Sequence, residues 1–266
     1  MPRTASPKRP AAGFRVAIRG RGRAGRALAR ALAAARVPVA WISRASGTRP
    51  EAFDLLVLAV PDDAIEEESA RLVRAGARAR CAMHLSGALP SEALRRWRKT
   101  GAAVVSFHPL RSFAGAPGET AAGTDVAIEG DPAGIAAAER LARSIGARPW
   151  RIAAADKPLY HAAAAAAAGG TATLVALAAE AARRAGMPAG RALGAMARLS
   201  AEAARNVAAR GYPAGLTGPL ARGDEGTLRL HRRALAGSPL LAAAYRALAE
   251  AARKAARTRG AGGTGR

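Results

Sequence analysis

Apolar and polar positions alternate in short blocks through the first 152 residues and then change rhythm. Phe14, Val16, Ala17 and Ile18 form a brief apolar run that predicts a strand. Gly20-x-Gly22-x-x-Gly25 follows at once, and residues 24–36 read as a helix that Pro38 cannot continue. Further strands are expected at 39–42, 54–60, 81–85, 103–107, 125–129 and 149–152, with helices at 66–77, 91–99 and 132–145 among them. The 54–60 run is apolar without alternation, as in a strand covered on both faces of a parallel sheet. This order implies an α/β fold, a doubly wound Rossmann domain. From residue 153 nothing reads as a strand. Helical stretches at 156–185, 188–210 and 239–257 predict an all-α second domain of about four helices. The expected organisation is a disordered tail at 1–13, a dinucleotide-binding domain at 14–152, a helical domain at 153–257 and a disordered basic tail at 258–266.

Strand, glycine loop and helix in that order give each glycine a mechanical task. Gly20 makes the tight turn, Gly22 lets a pyrophosphate approach the backbone, and Gly25 lets helix pack close on strand. The helix N-terminus then offers free N–H groups and a partial positive charge to phosphates. Where NAD-binding folds place an acid for the ribose hydroxyls, this chain has Ser43 and Arg44, and no carboxylate before Glu51. A hydroxyl and a cation suit a 2′-phosphate, so NADP is favoured over NAD. Val60 and Pro61 end the third strand, where such sheets line the ligand crevice, and Asp62 or Asp63 is placed to cap the next helix.

Composition narrows the function classes. The net charge is +23, from 42 basic and 19 acidic residues, and only 4% of residues are aromatic. The basic residues are almost all arginines spread along the chain, with few stacking groups, which argues against specific nucleic-acid binding. The single Cys81 excludes an internal disulfide framework and fits a reducing cytoplasm. No run of about 18 uninterrupted apolar residues occurs, so no membrane association is expected. No two histidines stand at local ligand spacing, and no metal site is expected.

Four histidines are candidates for chemistry. His84 and His108 end two strands, beside Ser86-Gly87 and Ser106, and His84 faces either the pocket or the core. His161 lies four residues after Lys157, so both project from one helical face. Lys157 is either a proton donor with a depressed pKa or an exposed first-turn lysine. His231 follows the polar loop 217–227.

Several segments together carry a resemblance: Ala59-Val60-Pro61-Asp62-Asp63, His84-Leu85-Ser86-Gly87, Ser106-Phe107-His108-Pro109-Leu110, Lys157-Pro158-Leu159-Tyr160-His161, and Leu216-Thr217-Gly218-Pro219-Leu220-Ala221-Arg222-Gly223-Asp224. The first half resembles the 6-phosphogluconate and 3-hydroxyisobutyrate dehydrogenase superfamily, which includes ketopantoate, pyrroline-5-carboxylate and prephenate enzymes. More closely, the whole is similar to a family of Rossmann-like proteins with a C-terminal domain of unknown function. The resemblance implies NADP binding and a homodimer formed through the helical domain. It implies a nicotinamide against Val60-Pro61 and Ser86-Gly87, with Lys157 as general acid. His161 stands where hydroxyacid dehydrogenases carry asparagine, and His108-Pro109 is similar to the H-P-M segment of prephenate dehydrogenases. Substrate contacts are expected from His84, Thr217, Gly218, Arg222, Asp224 and His231. One departure is Ala168-Gly169, where relatives carry Ser-Asn. The function implied is a cytoplasmic NADP-dependent oxidoreductase acting on a small carbonyl, imine or hydroxy acid between the two domains. The rival expectation is a catalytically silent NADP sensor or scaffold.

Overall fold

The computed structural model describes residues 14–43 and 52–261, so Arg44 lies outside the described residues. The chain divides into two compact units, Met1–Ala164 and Ala165–Arg266.

The first unit runs β1 (Val16–Arg19), α1 (Arg23–Ala34), β2 (Val39–Ile42), β3 (Ala52–Leu58), α2 (Ile65–Arg74) and β4 (Arg78–His84). A 3₁₀ stretch, Ser91–Thr100, leads to β5 (Ala103–Pro109), β6 (Asp125–Gly130), α3 (Pro132–Ser144) and β7 (Arg148–Arg151). These build a seven-stranded sheet in the order β2-β1-β3-β4-β5-β6-β7. Strands β1 to β5 pair in parallel, as the βα alternation predicts. β6 instead pairs antiparallel to β5, with Phe107 opposite Ile128, and β7 follows β6 in parallel. The reason is local. Residues 110–124 form no helix, and a parallel return normally needs a helical crossover.

Side chains alternate across the sheet and fill two apolar layers. Leu55, Val57, Met83, Val105 and Phe107 pack with Leu28 and Leu32 of α1 and Leu141 of α3. Leu56, Leu58, Ala82 and Val104 pack with Ile65 and Leu72 of α2 and with Leu94 and Trp97. By the same alternation His84, Ser106 and His108 share the second face. At the carboxyl edge Arg19 is buried. Its Nε bonds Glu68 Oε1 at 2.6 Å and its Nη1 bonds the Ile42 carbonyl at 3.2 Å. That joins the ends of β1 and β2 to α2. The outer strand β7 reads Arg-Pro-Trp-Arg, its arginines paired with Asp125 and Glu139.

After β7 a 3₁₀ turn (Ala154–Asp156) opens α4 (Lys157–Ala165), a π segment (Ala166–Gly170) and α5 (Thr171–Arg184). The unit boundary falls inside this run rather than at residue 152, because Lys157, Tyr160 and His161 contact residues of β5 and of the turn that follows β4. Although no apolar run is uninterrupted, Ala154–Arg184 is long and apolar enough, by length and composition, to cross a membrane. Its mean hydropathy of 1.6 comes largely from alanine, and 6% of that window is buried.

The second unit continues with α6 (Ala189–Arg210), α7 (Gly218–Arg222), α8 (Glu225–Ala234) and α9 (Pro239–Ala261). α7 and the start of α8 occupy what the sequence predicts as a polar loop at 217–227, and α9 extends past the expected end at 257. This unit buries little. Ala179, Ala192, Leu228, Leu241, Ala249 and Ala252 are its buried apolar residues among those described, while Leu193, Leu199, Leu230, Leu240 and Leu248 are exposed.

Candidate active site

The glycine loop leaves the end of β1 with Gly20 at φ +108°, a region that disfavours side chains. A Cβ on Gly20 would overlap the Ala59 carbonyl oxygen, and one on Gly25 would overlap the Gly20 carbonyl oxygen. The loop, the end of β3 and the start of α1 therefore touch backbone to backbone. Gly22 is different: its nearest neighbour would be 3.9 Å away, so that side of the loop is open. Gly22 caps α1 without a side chain, and the first turn of α1 carries no acidic residue. The N–H groups of a first turn that carries no acid fit a pyrophosphate, and the cradle a Cβ would fill fits the close approach a dinucleotide needs.

Val60 touches this loop, its Cγ1 lying 3.2 Å from the position of a Gly20 Cβ. Pro61 then caps a 3₁₀ turn, Asp62–Ala64, and neither Asp62 nor Asp63 caps a helix by its side chain, contrary to expectation. Asp62 instead accepts a hydrogen bond from Ser86 Oγ at 2.6 Å. The same Ser86 Oγ accepts from the N–H groups of Ala88 and Leu89 at 3.2 and 2.9 Å, which fixes the turn after β4. His84 holds that turn from below. Its Nε2 lies 3.1 Å from the Pro90 carbonyl, and its Nδ1 accepts from the Ser86 N–H at 3.2 Å. The ring is fully buried and burial lowers its pKa to about 4. With both nitrogens engaged, His84 is a neutral structural group, which corrects its expected contact with substrate.

Gly87 is the floor of the cluster. A Cβ there would come within 2.5 Å of His161 Cδ2 and 2.9 Å of His108 Cε1 and Nε2. The two imidazoles stand edge to face with centroids 5.8 Å apart. His108 Nδ1 lies 2.8 Å from the Tyr160 hydroxyl. Burial raises the phenol's pKa, so it stays protonated and can donate to Nδ1; in that pairing the His108 proton sits on Nε2. Burial, then the charges of His161 and Lys157, lower the His108 pKa to about 4. His108 is thus a neutral N–H donor at pH 7, half-buried, aimed toward Gly87.

Lys157 lies beneath the same turn. Its Nζ donates to Ser106 Oγ at 2.7 Å and to the Ser86 carbonyl at 3.2 Å. The side chain is fully buried, and burial lowers its pKa to about 8 against the opposing pull of Glu129 and Asp62. The exposed first-turn lysine is therefore excluded. Its ammonium is an internal charge held by two acceptors, and the half-buried His108 and His161 carry the accessible nitrogens.

One line of contacts connects these parts: Gly20 to Ala59 and Val60, Asp62 to Ser86, and Gly87 to His108 and His161. The loop and the imidazole pair thus share the carboxyl rim of the parallel sheet. Ser43 follows β2 and is exposed. Tyr160 and the acceptor role of Asp62 are not evident from the sequence. The available signal was the placement of Tyr160 three residues after Lys157, which sets both on one helical face.

The remaining expected residues belong to the helical unit. Thr217 precedes α7, Gly218 has φ +76°, and Arg222 is exposed. Asp224 caps α8, accepting from Thr227 N at 3.0 Å and Thr227 Oγ1 at 2.7 Å. His231 Nδ1 lies 2.7 Å from the Tyr245 hydroxyl. That pair borders a cavity of about 400 Å³ lined otherwise by Ser200 and by apolar residues such as Leu174, Met196 and Leu199. Ala168 and Gly169 lie in the π segment. Among the described residues no group of three or more metal-ligating side chains occurs.

Residues 124–252 match the family model of a domain of unknown function, DUF2520. No curated protein matches the sequence. Solved structures do match along nearly the whole chain. A Bacteroides fragilis protein named as a candidate NADP oxidoreductase superposes with a TM-score of 0.71 at 21% identity, covering 91% of this chain and 98% of its own. A Thermotoga maritima protein does so with 0.71 at 22%, covering 92% and 99%. A Plasmodium falciparum pyrroline carboxylate reductase, solved with NADP bound, gives 0.59 at 12%, covering 91% and 98%. At these identities the likeness shows the fold, a Rossmann-type sheet followed by a helical region.

Proposed function

We propose that this chain is an NADP-dependent oxidoreductase that reduces a small carbonyl or imine, or oxidises the corresponding hydroxy acid or amine, at the His108–His161 pair. The observation that carries this reading is the continuous contact from the glycine loop through Asp62 and Ser86 to the two imidazoles. Two of the structural neighbours are named for NADP or were solved with it, which supports the same cofactor.

Gly20, Gly22, Gly25 and the first turn of α1 would hold the pyrophosphate, with Val60, Pro61, Ser86 and Gly87 beside the nicotinamide. Bound NADPH supplies the hydride. His108 donates a hydrogen bond from its Nε2–H to the oxygen or nitrogen that gains electrons as the substrate is reduced, and solvent water supplies the proton that completes the product. Tyr160 keeps the His108 proton on Nε2, and Lys157 places a fixed positive charge beneath the turn that carries Gly87. The roles differ from a lysine donor because Lys157 is buried and already bonded to two oxygens. Mixing the protein with NADPH and a panel of small carbonyls and imines tests this: substrate-dependent loss of coenzyme absorbance is expected. Coenzyme binding without turnover would favour the silent sensor, the reading that Ala168-Gly169 supports by offering no side-chain hydrogen bond.

The exposed leucines of α6, α8 and α9 support a homodimer formed through the helical unit, because so small a core leaves much apolar surface uncovered. Sedimentation at micromolar concentration would show a single monomeric species if this is wrong.

A further inference from the structure

Arg21 occupies the position between the first two glycines of the loop. Its guanidinium carbon stands 5.2 Å from the centroid of the Trp41 ring. The strand register explains the meeting. Ile18 pairs with Trp41 and Arg19 with Ile42, so the loop and Ser43 leave the sheet side by side. Arg21 is exposed, Trp41 is half-buried, and among the described residues no carboxylate pairs with Arg21.

We propose that Arg21, held on the face of Trp41, recognises the 2′-phosphate of NADP, with Trp41 as its positioning residue. The inference rests on the dinucleotide reading above and goes beyond it by assigning coenzyme choice to the loop itself. A guanidinium held over an indole at this distance is a cation–π contact, which engages the ring without using its N–H donors. The N–H edge of a guanidinium matches two phosphate oxygens, and a doubly paired charge-assisted contact is among the strong ones. The ribose of a bound dinucleotide lies at the end of the second strand, where Ser43 adds a hydroxyl. The contact also fixes a long side chain before the ligand arrives, which lowers the ordering cost of binding. A free arginine would give weaker discrimination.

The experiment is a titration of the full chain with NADPH and, separately, NADH, followed by coenzyme fluorescence and thermal shift. Wild type is expected to prefer NADPH. Arg21→Ala should weaken NADPH by about 10- to 100-fold while NADH is nearly unchanged. Trp41→Ala should lower the same preference, and Trp41→Phe should retain it. If Arg21→Ala leaves the ratio of the two affinities unchanged while wild type still prefers NADPH, the inference falls alone. Wild-type protein that binds neither coenzyme overturns the dinucleotide reading and this inference together.

Discussion

Lys157 Nζ donates to Ser106 Oγ at 2.7 Å from a side chain with no exposed surface. Burial brings its pKa from 10.5 down to about 8, so the ammonium is charged in the folded protein at pH 7 and neutral earlier than in the unfolded chain. Between pH 8 and 10.5 the unfolded state binds more protons, and stability from this group rises with pH. The unfolding free energy of wild type should therefore gain on that of Lys157→Met across this window, by up to about 3 kcal/mol. Denaturant titrations of both proteins would refute this if their difference stays constant.

Tyr160→Phe removes the hydrogen bond that keeps the His108 proton on Nε2. We expect kcat to fall by about 10- to 100-fold with NADPH affinity unchanged. A fall in coenzyme affinity of similar size would instead mark Tyr160 as part of the binding surface.

Gly87→Ala should expel at least one imidazole, since the new methyl would sit 2.5 Å from His161 and 2.9 Å from His108. A loss of about 1–3 kcal/mol in stability is expected, with loss of turnover. Gly169→Ala is the counterpart: nothing lies within 4 Å of its Cβ, and alanine in a helix should stabilise by up to about 1 kcal/mol. Thermal melts of the two variants should move in opposite directions.

His84 is neutral when folded, its pKa lowered from 6.5 to about 4 by burial. As pH falls from 6.5 to 4 the unfolded chain takes up a proton that the folded chain refuses, so stability drops by on the order of 3 kcal/mol. His84→Gln should flatten that part of the pH–stability curve. An unaltered slope in the variant would assign the acid sensitivity elsewhere.

How far the sequence reveals this site depends on the distance over which each part is specified. The glycine loop is legible because its tasks are set by φ and by contact with Ala59, a neighbour in the βαβ unit. The parallel strands are legible from their apolar runs, and the two-residue alternation places Ser106 and His108 on one face. The reversal at β6 is not legible, since it turns on what residues 110–124 fail to form. Lys157 looks like an ordinary first-turn lysine until Ser86 and Ser106, which are 71 and 51 residues away, close over it. His84 misleads for the same reason: a histidine at a strand end suggests a ligand, while Pro90 and Ser86 consume both its nitrogens. Asp224 reads as a loop acid because its partner, Thr227, only becomes one once α8 forms.

The outer strand β7 has a consequence for behaviour at high concentration. An open sheet edge is a template on which another chain can add a strand. Here Pro149 has no N–H to offer such a strand. Arg148 and Arg151, both more than 65% exposed, hold ion pairs with Asp125 and Glu139 along this edge, and a second copy meeting it would have to crowd these charged side chains. The protein is thereby protected from fibre-like stacking on this side of its sheet.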